Sequence, residues 1–191
     1  MTEALPNRIS RWLAWVAGAV ILFGCALPIT IDVFMRYFFN RGAVESFELS
    51  GFALAACIGL GMGYTVTTKA HIRVDFLVAR LPYPVRAACD LLAACVLALV
   101  AGALAWFAWG TVSQSWAMGA RSMSVLRIPM VIPQGLWWIG LFWFACVATL
   151  APVQAVIRLA RGDRAGFDAA IGAASLDAEI DDALQAVEEA R

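Results

Sequence analysis

Residues 128–157, IPMVIPQGLWWIGLFWFACVATLAPVQAVI, contain no charged side chain over 30 positions. A helix rises about 1.5 Å per residue, so this stretch is long enough to cross the roughly 30 Å hydrocarbon core of a bilayer. Three further uncharged stretches precede it in the chain: residues 12–31, 49–68 and 91–118. Soluble helices are rarely apolar on all sides over such lengths, so we predict that each stretch crosses a membrane as an α-helix.

The predicted fold is an all-α membrane protein with four transmembrane helices, and the composition agrees with it. The chain has 191 residues, 62% of them hydrophobic and 15% charged, with a mean hydropathy of +0.78. We expect one four-helix domain over residues 1–164, followed by an acidic tail over residues 165–191. The spans are expected at about 12–35, 48–68, 86–114 and 132–157. The apolar run of the first span continues past Cys25, so we expect a retained span rather than a cleaved signal peptide.

The distribution of positive charge predicts the orientation of the spans. The chain has 14 basic and 14 acidic residues, so no net field points to nucleic acid. The first, third and fifth segments outside the spans carry nine Lys and Arg residues near span ends, against four in the second and fourth. Because basic residues favour the cytoplasmic side, we expect both termini to be cytoplasmic.

The chain offers few of the side chains that membrane enzymes and metalloproteins need. Its one histidine is His71, and none of its five cysteines forms a Cys-x-x-Cys pair. Bis-histidine haem sites and His/Cys zinc sites are therefore excluded, and we expect no catalytic residue, cofactor, metal or disulfide framework. A membrane thiol oxidoreductase, one alternative, would need cysteine pairs in the outward loops, which contain no cysteine.

A second alternative, an autonomous small carrier, would need an ionisable group in the middle of the membrane. The central parts of the four spans carry no acidic, basic or histidine side chain. Asp32 and Asp90 lie near span ends, each four residues from an arginine, Arg36 or Arg86. We expect both to form ion pairs between residues i and i+4 of a helix.

Small residues recur every fourth position in the second and third spans. Such spacing lets helix backbones approach closely in a membrane. The rows serve either packing inside the bundle or contact with a partner. They consist of Gly51, Ala55, Gly59 and Gly63 in the second span and Ala94, Ala98 and Gly102 in the third.

The loop between the second and third spans, residues 69–82, predicts a short interfacial segment. Asp75 could cap a short helix that Pro82 ends, with apolar side chains towards lipid and Arg73 and Arg80 towards water. The basic residues of this loop alternatively serve only to fix the topology.

The last 27 residues are rich in alanine and acidic side chains. Leu176, Ile180, Leu184 and Val187 form a narrow apolar stripe along one face of a possible helix. Either this tail is solvated and partly frayed, or it is an amphipathic helix that binds a partner. Its acidity would repel anionic headgroups, so we expect it to project away from the membrane.

Four short motifs follow one another at the ends of the spans. Residues 36–40, RYFFN, end the first span, and Glu48 opens the second. Residues 71–75, HIRVD, follow the second span, and residues 128–130, IPM, introduce the last. In a four-span chain this series resembles the small membrane subunit of tripartite ATP-independent periplasmic (TRAP) transporters, and HIRVD is its most specific part.

The resemblance extends from about Arg8 to Arg161, with two departures. Ala70 stands where a glycine often precedes the histidine, and Glu48 alone matches a site that is often a pair of glutamates. The residues that the resemblance marks for interaction or structure are Arg36, Asn40 and Glu48 on the outer side and His71, Arg73 and Asp75 in the inner loop.

The resemblance implies a role as well. Such a small subunit joins a large permease subunit, an obligate partner that carries the solute by an elevator-like movement in the bacterial inner membrane. A periplasmic solute-binding protein, a transient partner, delivers an organic acid, and a sodium gradient drives import. The small subunit acts as a scaffold with no catalytic residues, and the identity of the solute lies in the other two components.

Overall fold

Long helices contain nearly all residues of the four apolar stretches, as predicted. The structure, a computed structural model, describes residues 5–42, 45–69, 81–124 and 126–172. The helices there are α1 (Leu5–Ile21), α2 (Leu27–Phe39), α3 (Ser46–Thr67), α4 (Tyr83–Ala117), α5 (Val131–Ala160) and α6 (Arg164–Ile171). With α1 and α2 joined as one 35-residue span, four helices are long and apolar enough to cross a membrane. This confirms the all-helical, four-span fold class.

The first span changes its helical winding in the middle. Leu22–Ala26 form a π-helical turn between α1 and α2, and the N–H of Leu27 bonds to the carbonyl of Leu22. Pro28 follows immediately, and in a regular α-helix its ring would clash with the carbonyl four residues earlier, at Gly24. The wider π turn relieves that clash. The helix therefore continues to Phe39, four residues past residue 35, where the span was predicted to end.

The described parts of the four spans are arranged in a row, in the order α1, α3, α5, α4. α3 contacts α1 on one side and α5 on the other, and α5 also contacts α4. We call the end that carries Leu5, Thr67, Tyr83 and Ala160 the inner end, and the opposite end the outer end. The two central helices, α3 and α5, both run from the outer to the inner end.

The closest approach in the row is between α3 and α5. A Cβ placed on Gly140 would overlap the backbone of Gly59, lying 2.5 Å from its carbonyl oxygen. A Cβ on Gly59 would lie 2.7 Å from the carbonyl oxygen of Trp137. The absence of side chains at both glycines allows this crossing, which brings backbone against backbone.

Two tryptophans of α5 tie the row together by hydrogen bonds. The indole nitrogen of Trp138 donates to the carbonyl of Ala105 in α4 at 3.2 Å. That of Trp143 donates to the hydroxyl of Ser10 in α1 at 2.9 Å, and Ser10 is completely buried. An indole N–H has no water to bond inside a membrane, so both tryptophans donate to an acceptor on another helix of the row.

The segment that follows the last span packs against the bundle. α6 follows α5 after a short turn and packs against both α5 and α4. Phe167 and Ile171 of α6 are buried, in a cluster with Ala87, Ala94 and Ala155. This differs from the expectation of a solvated tail from residue 165. The two apolar side chains lie four residues apart on one helical face, which explains the difference. The predicted stripe from Leu176 to Val187 lies outside the described residues.

Candidate functional sites at the helix ends

The outer end holds a buried carboxylate, in a group we call the outer corner: Asp32, Arg36, Gly42 and Ser46. Asp32 is only 4% exposed, and its Oδ2 accepts a hydrogen bond from Nε of Arg36 at 2.9 Å, which confirms the predicted ion pair. The same oxygen accepts a second hydrogen bond, from the hydroxyl of Ser46, at 3.1 Å. A buried carboxylate is stable only when it is paired and hydrogen-bonded, and these two donors meet that need.

The outer corner joins the second helix, α2, to the start of α3. Ser46 is the first residue of α3, so its bond to Asp32 fixes the start of the second span against the first. A Cβ on Gly42 would lie 3.4 Å from Oδ1 of Asp32 and 3.5 Å from a guanidinium nitrogen of Arg36. The loop therefore passes directly over the ion pair. Sequence analysis found the pair but not Ser46. Ser46 lies two residues before Glu48, where a helix begins, and serine is common at helix starts, so this position could have identified it.

The other two predicted outer residues, Asn40 and Glu48, do not take part in the ion pair of Arg36. Asn40 ends α2 in the left-handed conformation, with φ of 54°, and its N–H bonds to the carbonyl of Arg36 at 3.1 Å. Asparagine tolerates this conformation better than most side chains. Glu48 lies in the first turn of α3 and is half-buried. Its Oε2 has no hydrogen-bond partner among the described residues. Arg36 pairs with Asp32, so the structure does not join it to Glu48.

The predicted inner residues His71, Arg73 and Asp75 lie outside the described residues. The described chain stops just before them at Lys69, which has a left-handed φ of 55°. The ammonium group of Lys69 donates to the carbonyls of Asp168 and Gly172, at 3.2 and 3.0 Å. These carbonyls lie in and just after the last turn of α6, where a helix presents unpaired oxygens and partial negative charge. Lys69 therefore caps α6 and ties the start of the inner loop to it.

The N-terminal end of α6 is also fixed by specific contacts. Asp163 is the N-cap residue, and its side chain accepts a hydrogen bond from the N–H of Gly166 at 2.8 Å. Arg158, in the last turn of α5, donates to the carbonyl of Gly166 at 2.9 Å. The guanidinium of Arg164 lies 5.2 Å from the ring centroid of Tyr83, within the range of a cation–π contact. An eight-residue helix is unstable alone, so these contacts and the buried Phe167 determine its position.

The second predicted ion pair, between Arg86 and Asp90, is also present, near the inner end of α4. Nε of Arg86 lies 3.9 Å from Oδ2 of Asp90, and Asp90 is buried near the start of α4. The two buried acidic residues of the described chain are therefore Asp32 at the outer end and Asp90 at the inner end. Within the described ranges, no three His, Cys, Asp or Glu side chains are grouped so that they could hold a metal ion.

The small residues of α3 are divided between packing and open surface. Gly59 contacts α5 as described, and a Cβ on Gly63 would lie 2.6 Å from the ring of Trp143. Ala55 is half-buried, and Gly51 has nothing within 4 Å of the position a Cβ would take. The inner half of this row is thus internal packing, whereas its outer end is open to lipid or a partner.

The row predicted in α4 behaves in a similar way. Ala94 is buried in the cluster around α6, Ala98 is half-buried, and Gly102 has no neighbour within 4 Å of a Cβ position. Beyond Ala94 the buried side of α4 follows a neighbouring row, which the predicted spacing did not identify. This row consists of Ala101, Ala105, Ala108 and Val112.

Comparison with protein-family models now adds to this geometry. Residues 25–162 match the family described as tripartite ATP-independent periplasmic transporters, DctQ component. The chain belongs to the DctQ family. No curated protein and no solved structure matches it. Membership of the DctQ family confirms the resemblance carried by the motifs, because the matched range includes RYFFN, HIRVD and IPM.

The family assignment agrees with the architecture. A DctQ protein is the small permease component of a TRAP transporter, a multi-pass membrane protein and not an enzyme. The outer corner and the capped α6 lie at the two ends of the bundle of this transporter component. They hold helices and loops in place, and their buried charges are paired within the chain.

Proposed function

We propose that this DctQ-family chain is the scaffold subunit of a transporter that imports an organic acid with a sodium gradient. Its partners are a large permease subunit and a periplasmic solute-binding protein. The placement of charge carries the proposal. The buried carboxylates Asp32 and Asp90 lie near span ends beside arginines, and the central parts of the four spans carry no acidic, basic or histidine side chain. A solute path needs polar groups at mid-membrane, so the path belongs to the large permease.

The packing supports a static role. The crossing of Gly59 and Gly140 brings two backbones together, and a packed interface of this kind is not continuously deformable. The hydrogen bonds of Trp138 and Trp143 connect α5 to α4 on one side and to α1, beyond α3, on the other. A scaffold against which a second subunit moves must resist such movement itself.

The orientation and the roles of the marked residues follow from the same proposal. Both termini are cytoplasmic, the membrane is the bacterial inner membrane, and the outer end faces the periplasm. Arg36, Asn40 and Glu48 shape the surface that receives the binding protein. The inner loop is held against the bundle or the large subunit by His71, Arg73 and Asp75. Lys69, the first residue of that loop, is bonded to the end of α6.

Reconstitution in liposomes tests the function. Uptake of candidate organic acids under an inward sodium gradient is measured with all three components, without this chain, and with this chain alone. We expect uptake only with the complete set, and co-purification of this chain with the large permease. Sodium-driven uptake by the isolated chain, or full uptake in its absence, would contradict the scaffold role.

Charge reversal tests the role of Glu48. Glu48→Lys should weaken docking of the binding protein in a salt-dependent way, while leaving the membrane complex intact. Glu45→Lys is the matched control, because Glu45 is exposed and lies three residues earlier. Docking by the Glu48→Lys complex as strong as that of wild type would remove Glu48 from the docking surface. For the inner loop, a double Arg73→Ala and Asp75→Ala variant should lower the yield of the complex.

A further inference from the structure

The outward side of α2 is an exposed apolar surface with an aromatic ridge. We call it the α2 face: Ile29, Thr30, Val33, Phe34, Tyr37 and Phe38. These residues line a shallow groove of about 360 Å³. Asp32, on the opposite side, is the one buried residue of α2, and it joins this helix to α3 through the outer corner.

The height of this face relative to the membrane indicates what can cover it. The hydrogen bond between Asp32 and Ser46 places Asp32 level with the first residue of α3. α3 has 22 residues and is about 33 Å long, close to the thickness of the hydrocarbon core. α2 continues seven residues beyond Asp32, to Phe39, and thus rises about 10 Å above the start of α3. Its last aromatic side chains lie at the level of the headgroups or above.

Lipid is a poor cover for side chains at this height. Phe38 is 62% exposed, and Phe47 beside the outer corner is 91% exposed. Interfacial belts use tryptophan and tyrosine, which have a polar group, whereas a phenyl ring has none to offer to headgroups or water. The rings also form one cluster, with centroids 4.4 Å apart for Phe34 and Phe38 and 5.0 Å apart for Tyr37 and Phe38. Clustered aromatic side chains are typical anchors of protein interfaces.

We propose that the α2 face binds a membrane-spanning helix of the large permease subunit, one that extends past the membrane surface and carries an acidic residue at its outer end. A soluble protein could reach the top of the face but not Ile29 and Thr30, which lie below Asp32 inside the apolar layer. A second copy of this chain would bring its own Arg36 and Arg41 against the same two residues across a two-fold axis. Arg36 is already paired with Asp32, but Arg41 is exposed, so like charges at Arg41 would oppose that contact and an acidic partner would favour it. The inference rests on the proposed function and assigns a surface to it.

Photo-crosslinking in the complete complex tests the assignment. Benzoylphenylalanine replaces Phe34 or Phe38 in the full chain, which is co-expressed with the tagged large permease. The matched position is Phe107, on α4 at the far edge of the row, which is 72% exposed. We expect crosslinks to the large permease from positions 34 and 38 and to lipid from position 107. An intact complex that gives lipid adducts, self-crosslinks or binding-protein crosslinks at 34 and 38 would overturn the assignment while leaving the scaffold function standing.

Truncation of the ridge provides a second measurement. A double Phe34→Ala and Phe38→Ala variant should bind the large permease at least tenfold more weakly than wild type in detergent. A double Trp106→Ala and Phe107→Ala variant, which removes exposed aromatic area from α4, should bind as wild type does. The reverse order of these two affinities would place the interface on α4. If the wild-type chain forms no complex at all, the proposed function fails together with the inference.

Discussion

Substitution of Gly140 by alanine should push apart the two central helices. The new Cβ would meet the carbonyl oxygen of Gly59 and the backbone nitrogen of Leu60, each at 2.5 Å. Ordinary van der Waals contact begins near 3.4 Å, so α3 and α5 must separate by roughly 1 Å at their crossing. Backbone atoms cannot rotate away as a flexible side chain can. The separation weakens every contact along this interface by a quarter or more of its dispersion energy.

The expected cost is that of overpacking a core, about 1–3 kcal/mol. Gly135→Ala is the matched control, because it lies on the same helix and has nothing within 4 Å of its Cβ position. Both variants gain the same helix propensity from alanine, so their difference isolates the clash. At about 2 kcal/mol, the melting temperature of Gly140→Ala should lie about 4–8 °C below that of Gly135→Ala.

Thermal unfolding of the purified chain in detergent measures this difference. Gly59→Ala should behave like Gly140→Ala, since its Cβ would lie 2.7 Å from the carbonyl oxygen of Trp137. The double variant should cost less than the sum of the two, because one separation of the helices relieves both clashes. A melting temperature of Gly140→Ala equal to or above that of Gly135→Ala would refute the close crossing.

Four further outcomes are expected. Ser46→Ala removes a donor to the buried Asp32 and should destabilise the purified chain by about 1.5 kcal/mol, the low end for a bond to a charged group, as measured by thermal unfolding. Phe167→Ala empties a fully buried site at a cost of about 3–5 kcal/mol, more than α6 can offset, so amide exchange over 164–171 should become fast. Lys69→Met should accelerate the same exchange less strongly, and unchanged rates in both variants would contradict the docking of α6. Reporter fusions after residues 41 and 164 should report opposite sides of the membrane, with 164 cytoplasmic; a periplasmic signal there would reverse the topology.

The number and type of the spans could be predicted from the sequence because they depend on local chemistry. About 20 consecutive uncharged residues can satisfy their backbone in a membrane only as a helix, whatever lies beside them. The ion pairs of Asp32 and Asp90 were predictable for the same reason, since both partners lie one helical turn apart. The motifs at the span ends likewise led to the family that the comparison confirms. The roles of His71, Arg73 and Asp75 remain predictions.

The tertiary structure alone decided which faces of the helices meet. A span that is apolar all round carries no amphipathic pattern, so its sequence does not indicate that Gly59 crosses Gly140 or that α3 and α5 lie in the centre of the row. The bond from Ser46 to Asp32 and that from Lys69 to α6 join positions 14 to 103 residues apart. Local sequence determines which segments form membrane-spanning helices. The position of each segment against the others depends on contacts between distant residues, which exist only once the chain has folded.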